Sequence, residues 1–191
     1  MEFVKTMESR AIAWLRFQKQ NHIVCTESPT VSNADVMGWN GKTLTEIEIK
    51  RSKSDFKADF ANKVKKHNDL NNIGKVTRWP HFFYFCVPED LVSFALEYLE
   101  ENGYSKYGLL TESRFNFLQV IKRPARLHNN KPTPIFIEKL VKRMSSELCN
   151  LHLNHARLIT DTDYMEIKEL IKSNLEPEGD SDEIMADNVQ A

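Results

Sequence analysis

Residues 34–50 read ADVMGWNGKTLTEIEIK, two short apolar runs joined by Asn-Gly-Lys. Asn-Gly between apolar runs is a strong hairpin signal, because both residues tolerate the positive φ that tight reversals need. Residues 34–39 and 43–50 are therefore expected to pair as antiparallel strands. In the second strand a period of two puts Thr45, Ile47 and Ile49 on one face and Glu46, Glu48 and Lys50 on the other. Three charges on one side of one strand mark that side as solvent or as a site. The hairpin also carries Asp35 toward Glu48 and Lys50.

Working outward, residues 3–19 have helical spacing of Val4, Met7, Ala11, Trp14, Leu15 and Gln18, with Glu8 on an adjacent stripe. HIVCTE, residues 22–27, reads as a strand ahead of the hairpin. After it, Ser52 precedes Asp55 by three residues, a capping-box variant, and Phe56, Phe60, Val64 and His67 repeat on one face. One helix over 53–70 is expected, with His67 packed in its apolar stripe. HFFYFCV, residues 81–87, is the near-continuous apolar run of a strand buried on both faces. Pro88 opens an amphipathic helix that closes near Gly103. YGLL and FNFLQVI read as further strands, KRPARLHNNKPTP as a basic loop, residues 134–158 as a long helix and 162–173 as a shorter one.

At 191 residues and 41% hydrophobic, the chain can bury one sizeable core. No apolar run approaches the ~20 residues that span a bilayer, and charges interrupt the N-terminus where a signal peptide would be apolar. A cytoplasmic protein is expected. Cys25, Cys86 and Cys149 form no close pair, so reduced, buried thiols are expected in place of a disulfide framework. Cys149, His152 and His155 recur every three residues without an evident fourth metal ligand.

Net charge is −1, yet residues 173–191 carry six carboxylates and no Lys or Arg, which leaves the preceding body at +5. Lys50, Arg51, Lys53, Lys57, Lys63, Lys65 and Lys66, against Asp55 and Asp59, concentrate that excess between residues 50 and 67. Such a block suits a polyanion or is a solvated helix face. Lys53, Lys57, Lys65 and Lys66 are the candidate phosphate contacts on the helix; Arg123, Arg126 and Lys131 are those of the basic loop.

An α-β-β-β-α-β order, with Asp35 on one hairpin strand and Glu48-Ile49-Lys50 on the next after twelve intervening residues, resembles the PD-(D/E)XK nuclease superfamily. With SKSDFKADF, FFYFCVPEDL, YGLL and RPARLH added, residues 6–128 resemble its MmcB-like DNA-repair proteins and related phage-encoded nucleases. Ala34 stands where Pro is common in that superfamily. The resemblance implies an α/β restriction-endonuclease-like core, its mixed central sheet flanked by helices, over residues 1–130. A C-terminal helical extension, 131–174, and an acidic tail, 175–191, would follow. It further implies hydrolysis of DNA phosphodiesters with Mg²⁺ or Mn²⁺ held by Asp35, Glu48 and the carbonyl of Ile49. Lys50 would act on the attacking water or on developing charge, and Glu8 would be the acidic residue of the first helix. Glu46 shares the face of Glu48 and reads as an exposed strand-end charge or a second-metal ligand. DNA is the implied partner, with a second copy of the chain, or a protein bound through the tail or C-terminal helices, beside it. The competing reading is a non-catalytic nucleic-acid- or protein-binding module on the same fold.

Overall fold

The computed structural model describes residues 2–28, 34–72, 79–113, 117–157 and 168–169. The chain divides into two units, Met1–Leu148 and Cys149–Ala191. In the second, the described residues are helical: the end of the long helix and residues 168–169. The expected helix over 162–173 lies otherwise outside the described residues, as does the acidic tail.

The first unit is an α/β structure on a six-stranded mixed sheet. Its strands are β1 (Ile23–Ser28), β2 (Ala34–Trp39), β3 (Leu44–Ile49), β4 (Phe82–Val87), β5 (Gly108–Glu112) and β6 (Leu118–Lys122), adjacent in that order. β1, β2 and β3 are antiparallel, β4 and β5 run parallel to β3, and β6 turns back on β5. The expected hairpin forms, closed by Asn40 and Gly41. Asn40 Oδ1 accepts the N–H groups of Lys42 and Thr43, and Gly41 takes φ +90°.

The parallel pairings on either side of β4 need crossovers, and helices supply them. α2 (Lys53–Asn62) and α3 (Val64–Asn71) link β3 to β4; a 3₁₀ turn (Glu89–Leu91) and α4 (Val92–Glu101) link β4 to β5. Phe56, Phe60, Leu70, Ala95 and Leu99 from these helices bury one face of the sheet against Phe83, Phe85 and Val87. The other face packs on α1 (Glu2–Ala13) and the π turn that continues it (Trp14–Gln18), through Met7, Ala11, Trp14 and Leu15 against Val36, Ile47, Tyr84 and Cys86. α5 (Pro134–Arg157) lays Phe136 and Leu140 on Ile23, Cys25 and Met37.

Three expectations are corrected. The helix expected over 53–70 is two helices, broken at Lys63 (φ −114°, ψ 34°), and Val64 is exposed instead of lying in the apolar stripe. The helix expected to reach residue 19 widens into a π turn after Ala13. Cys25 and Cys86 are buried as expected, but Cys149 is exposed. Among the described residues, no helix is long and apolar enough to cross a membrane.

Candidate active site

β2 and β3 pair through Val36 and Ile47, so one step further Asp35 stands beside Glu48. There β2 stops supplying ladder partners, and Asp35 takes over: its Oδ2 accepts the N–H of Ile49 at 2.7 Å. The carboxylate is thus locked at the end of the hairpin by a backbone donor that would otherwise be orphaned. Asp35 is half-buried. Burial and the facing charge of Glu48 raise its pKa, against the pull of the Ile49 N–H and Lys50.

The charged face of β3 is fully covered by α2 and α3. Glu46 and Glu48 are completely buried, and Lys50 is 6% exposed. Glu48 Oε2 accepts from Lys50 Nζ at 3.1 Å and Lys63 Nζ at 2.8 Å, and its Oε1 from Lys66 Nζ at 2.5 Å. Burial pushes the Glu48 pKa up, and the three ammonium groups outweigh it, leaving the carboxyl below its ordinary value. Lys50 also reaches Asp59 Oδ1 at 2.5 Å, and Asp59 Oδ2 bonds His67 Nε2 at 2.9 Å. His67 Nδ1 then meets the Tyr107 hydroxyl at 3.1 Å. A buried polar chain therefore runs Glu48–Lys50–Asp59–His67–Tyr107 beneath the sheet.

The broken helix explains how this is possible. Asp59, Lys63, Lys66 and His67 share a stripe at spacings of four and three. The kink at Lys63 turns that residue inward, to 2.8 Å from Glu48 and 2.9 Å from Asp59. Ser52 caps α2 by accepting from Asp55 N–H, and Asp55 accepts from Arg51 N–H, which fixes the chain as it leaves Lys50.

Each expected site residue can now be placed. Asp35, Glu48 and Lys50 converge. Glu8 of α1 is not gathered with them into one group; burial and then the charge of Asp35 raise its pKa, with Glu147 and Glu27 adding to the effect. Glu46 is not an exposed strand-end charge, because α3 covers it; its Oε1 lies 2.5 Å from Lys66 Nζ. Lys66 lies beside Oε1 as a charge, but neither Glu46 oxygen has a well-directed hydrogen-bond partner, and burial, only partly offset by Lys66, raises its pKa. Lys66 is likewise not a surface phosphate contact, being 2% exposed and held between Glu46 and Glu48. Lys53, Lys57 and Lys65 are exposed, the first two with their ammonium groups over the Phe94 ring. The basic loop is elsewhere: Leu127 N–H bonds His81 O and Ala125 N–H bonds Lys106 O, at the end of the sheet where β3 and β4 begin. Arg123 and Arg126 are therefore not brought to Asp35. Lys131 is exposed, outside the Asp35–Glu48 cluster.

Asp59, Lys63, Lys66 and His67 are the site residues that strand periodicity did not reveal. Their shared helical stripe, facing a strand with two inward carboxylates, was the available signal. Among the described residues, no three His, Cys, Asp or Glu side chains lie close enough together to hold a metal ion unaided.

No family model matches the sequence, and no curated protein matches it significantly. A solved structure, the SPO1766 protein of unknown function from Silicibacter pomeroyi, is similar, with a TM-score of 0.50. It is 18% identical, over 78% of this chain and 86% of that one. At that identity the likeness concerns the fold alone.

Proposed function

We propose that Asp35, Glu48 and Lys50 form the active site of a divalent-cation-dependent deoxyribonuclease of PD-(D/E)XK type. The observation that carries the reading is the hairpin register: it sets Asp35 beside Glu48, with Lys50 on the Glu48 carboxylate. The order α1-β1-β2-β3-α2/α3-β4 on a mixed sheet supports the restriction-endonuclease-like topology. Exposed Lys53, Lys57 and Lys65 on the helices after Lys50 suit the phosphates of a nucleic acid.

The chemistry of the donor set fits Mg²⁺ or Mn²⁺. Asp35, Glu48 and the Ile49 carbonyl are hard oxygen donors. Asp35 and Glu8 have raised proton affinities partly because carboxylates face carboxylates, a repulsion that a cation relieves. Bound there, the ion would neutralise phosphate charge and supply a water of lowered pKa. Glu48 joins the set by releasing one ammonium group, and Lys63, the most exposed of its three partners at 27%, is the one free to turn outward. Asp35 is kept in place by Ile49 N–H while it does so.

Lys50 acts as an ammonium ion. Burial lowers its pKa, but Glu48 and Asp59 overcome that and hold it above the ordinary lysine value. A lysine so held is a poor general base at neutral pH. Its part is to donate hydrogen bonds to the phosphate oxygens as charge builds on them.

The saturation of Glu48 by three lysines favours one alternative, a nucleic-acid-binding module without catalysis. The deciding experiment incubates labelled duplex, single-stranded and four-way-junction DNA with the protein and Mg²⁺, Mn²⁺ or EDTA. Cleavage that needs the cation and is lost in Asp35→Asn supports the nuclease; DNA binding without cleavage in either metal selects the alternative.

A further inference from the structure

The polar side chains that the proposed chemistry leaves unused lie on the helix side of β3. Asp59 of α2, His67 of α3 and Tyr107, immediately before β5, are all buried. Asp59 Oδ2 lies 2.9 Å from His67 Nε2, and His67 Nδ1 lies 3.1 Å from the Tyr107 hydroxyl. The other oxygen, Asp59 Oδ1, faces Lys50 Nζ at 2.5 Å and Lys63 Nζ at 2.9 Å. The two oxygens of one carboxylate thus have separate partners, a histidine on one and lysines on the other.

His67 belongs to the apolar stripe that the sequence predicts, and its ring is packed accordingly. It stacks on Phe60 with centroids 4.4 Å apart and meets Phe83 edge-on at 6.0 Å. Packing alone asks only for a ring, yet both nitrogens of this one meet a polar partner. A carboxylate accepts and cannot donate, so Nε2 carries the hydrogen of the bond to Asp59. The Tyr107 hydroxyl is left to donate to Nδ1, and the bond at one ring nitrogen sets the tautomer at the other. Tyr107 is itself fixed, its ring stacked on Tyr104 at an interplanar angle of 19°.

We infer that His67 is a positioning residue for Lys50. Its Nε2–H fixes the Asp59 carboxylate through Oδ2 and thereby aims Oδ1 at the ammonium group, while Tyr107 keeps that hydrogen on Nε2. Lys50 Nζ is then held between Asp59 Oδ1 at 2.5 Å and Glu48 Oε2 at 3.1 Å. A lysine carries three N–H donors on a flexible stem. With two of them engaged by fixed carboxylates the third has a set direction, and a donor set in advance stabilises developing phosphate charge without reorganising. That use of the third N–H rests on the nuclease reading; the hold on Lys50 does not.

The test compares two amides of like polarity at one position. Glutamine at 67 places its side-chain nitrogen where Nε2 stands, and asparagine ends nearer Nδ1, short of Asp59. The Lys50 ammonium is followed by proton–nitrogen NMR of the labelled full chain, its signal assigned by its loss in Lys50→Met. Exchange of its protons with water should quicken by roughly tenfold in folded His67→Asn, the scale of one lost hydrogen bond, and His67→Gln should keep most of the parent's slow exchange. Tyr107→Phe, which removes a single oxygen, should fall between the two. In a second arm, single-turnover DNA cleavage by His67→Asn should slow by roughly tenfold with the half-saturating DNA concentration unchanged.

Equal exchange in the parent and His67→Asn overturns the proposal. So does exchange as fast in His67→Gln as in His67→Asn, which would leave His67 a packing residue, and so does quickened exchange with cleavage undiminished. Should His67→Asn not fold, Tyr107→Phe decides alone: quicker exchange upholds the proposal and unchanged exchange overturns it. A parent that cleaves no DNA overturns the nuclease reading, and the exchange of Lys50 then decides for or against His67 by itself.

Discussion

Lys50 Nζ lies 2.5 Å from Asp59 Oδ1, which ties the last charged residue of the hairpin strand to the helix that covers it. Burial would raise the Asp59 pKa, but hydrogen bonding from His67 and the charge of Lys50 hold it well below the usual carboxylate range. A carboxyl depressed in the folded state stabilises the fold above its unfolded pKa and loses that contribution as pH falls toward the folded value. Asp59→Asn should therefore cost about 3–5 kcal/mol at pH 7, where it strips a partner from buried Lys50. The deficit should shrink as pH drops below about 3.9, where the unfolded aspartate is already protonated. Urea titrations across pH measure both effects. A deficit that does not change with pH would mean that Asp59 matters through packing alone.

Cation-dependent cleavage should fail early on the acid side. Burial and Glu48 raise the Asp35 pKa, and burial and Asp35 raise that of Glu8, so both protonate at higher pH than ordinary carboxylates. At subsaturating Mg²⁺, the acid limb of kcat/KM should fall above the unperturbed Asp value of about 3.9. An acid limb at or below that value would remove Asp35 from the cation's ligands.

Lys66 tests the buried network as a unit. Its Nζ lies 2.5 Å from a carboxylate oxygen of Glu46 and of Glu48, and although burial lowers its pKa the two carboxylates hold it above the ordinary value. Lys66→Met should destabilise the fold by about 3–5 kcal/mol, because buried Glu46 loses its ion-pair partner and Glu48 keeps only Lys50 and Lys63. Adding Glu46→Leu should recover a large part of the loss, since it removes the orphaned charge. A double variant as unstable as the sum of its single changes would show that Glu46 and Lys66 act independently.

Lys53, Lys57 and Lys65 should behave differently from Lys66. Replacing Lys53 and Lys65 with Gln should weaken DNA binding alike across sequences and lower the slope of log K against log salt by about one for each phosphate no longer neutralised. An unchanged slope returns this surface to a solvated helix face.

The hairpin was legible because Asn-Gly and the strict alternation of TLTEIEIK state their consequences locally. β4 was legible for a similar reason, since a run as apolar as FFYFCV has to be buried on both sides. The break at Lys63 was not. No Gly or Pro marks it, and its ammonium group pairs with Glu48, fifteen residues earlier, and with Asp59. For the same reason Lys66 reads from the sequence as a surface phosphate contact: helical spacing tells which residues share a face, and only the packed sheet shows that the face meets Glu46 and Glu48. The juxtaposition of Asp35, Glu48 and Lys50 was legible because strand alternation and one turn suffice to bring them together. The π turn after Ala13 and the left-handed Gln20 escaped the sequence because no residue pattern announces them.

Asp35, Glu48 and Lys50 are proposed to hydrolyse DNA together with a divalent cation. The most direct measurement of this is single-turnover cleavage of labelled DNA in Mg²⁺ or Mn²⁺ by the parent protein, Asp35→Asn and Lys50→Met, each checked for folding by circular dichroism. The account predicts cleavage by the parent that EDTA abolishes, with a loss of at least about a hundredfold in each folded variant. Parent and variants cleaving at equal rates, or a folded parent that cleaves no DNA substrate in either metal, would contradict it.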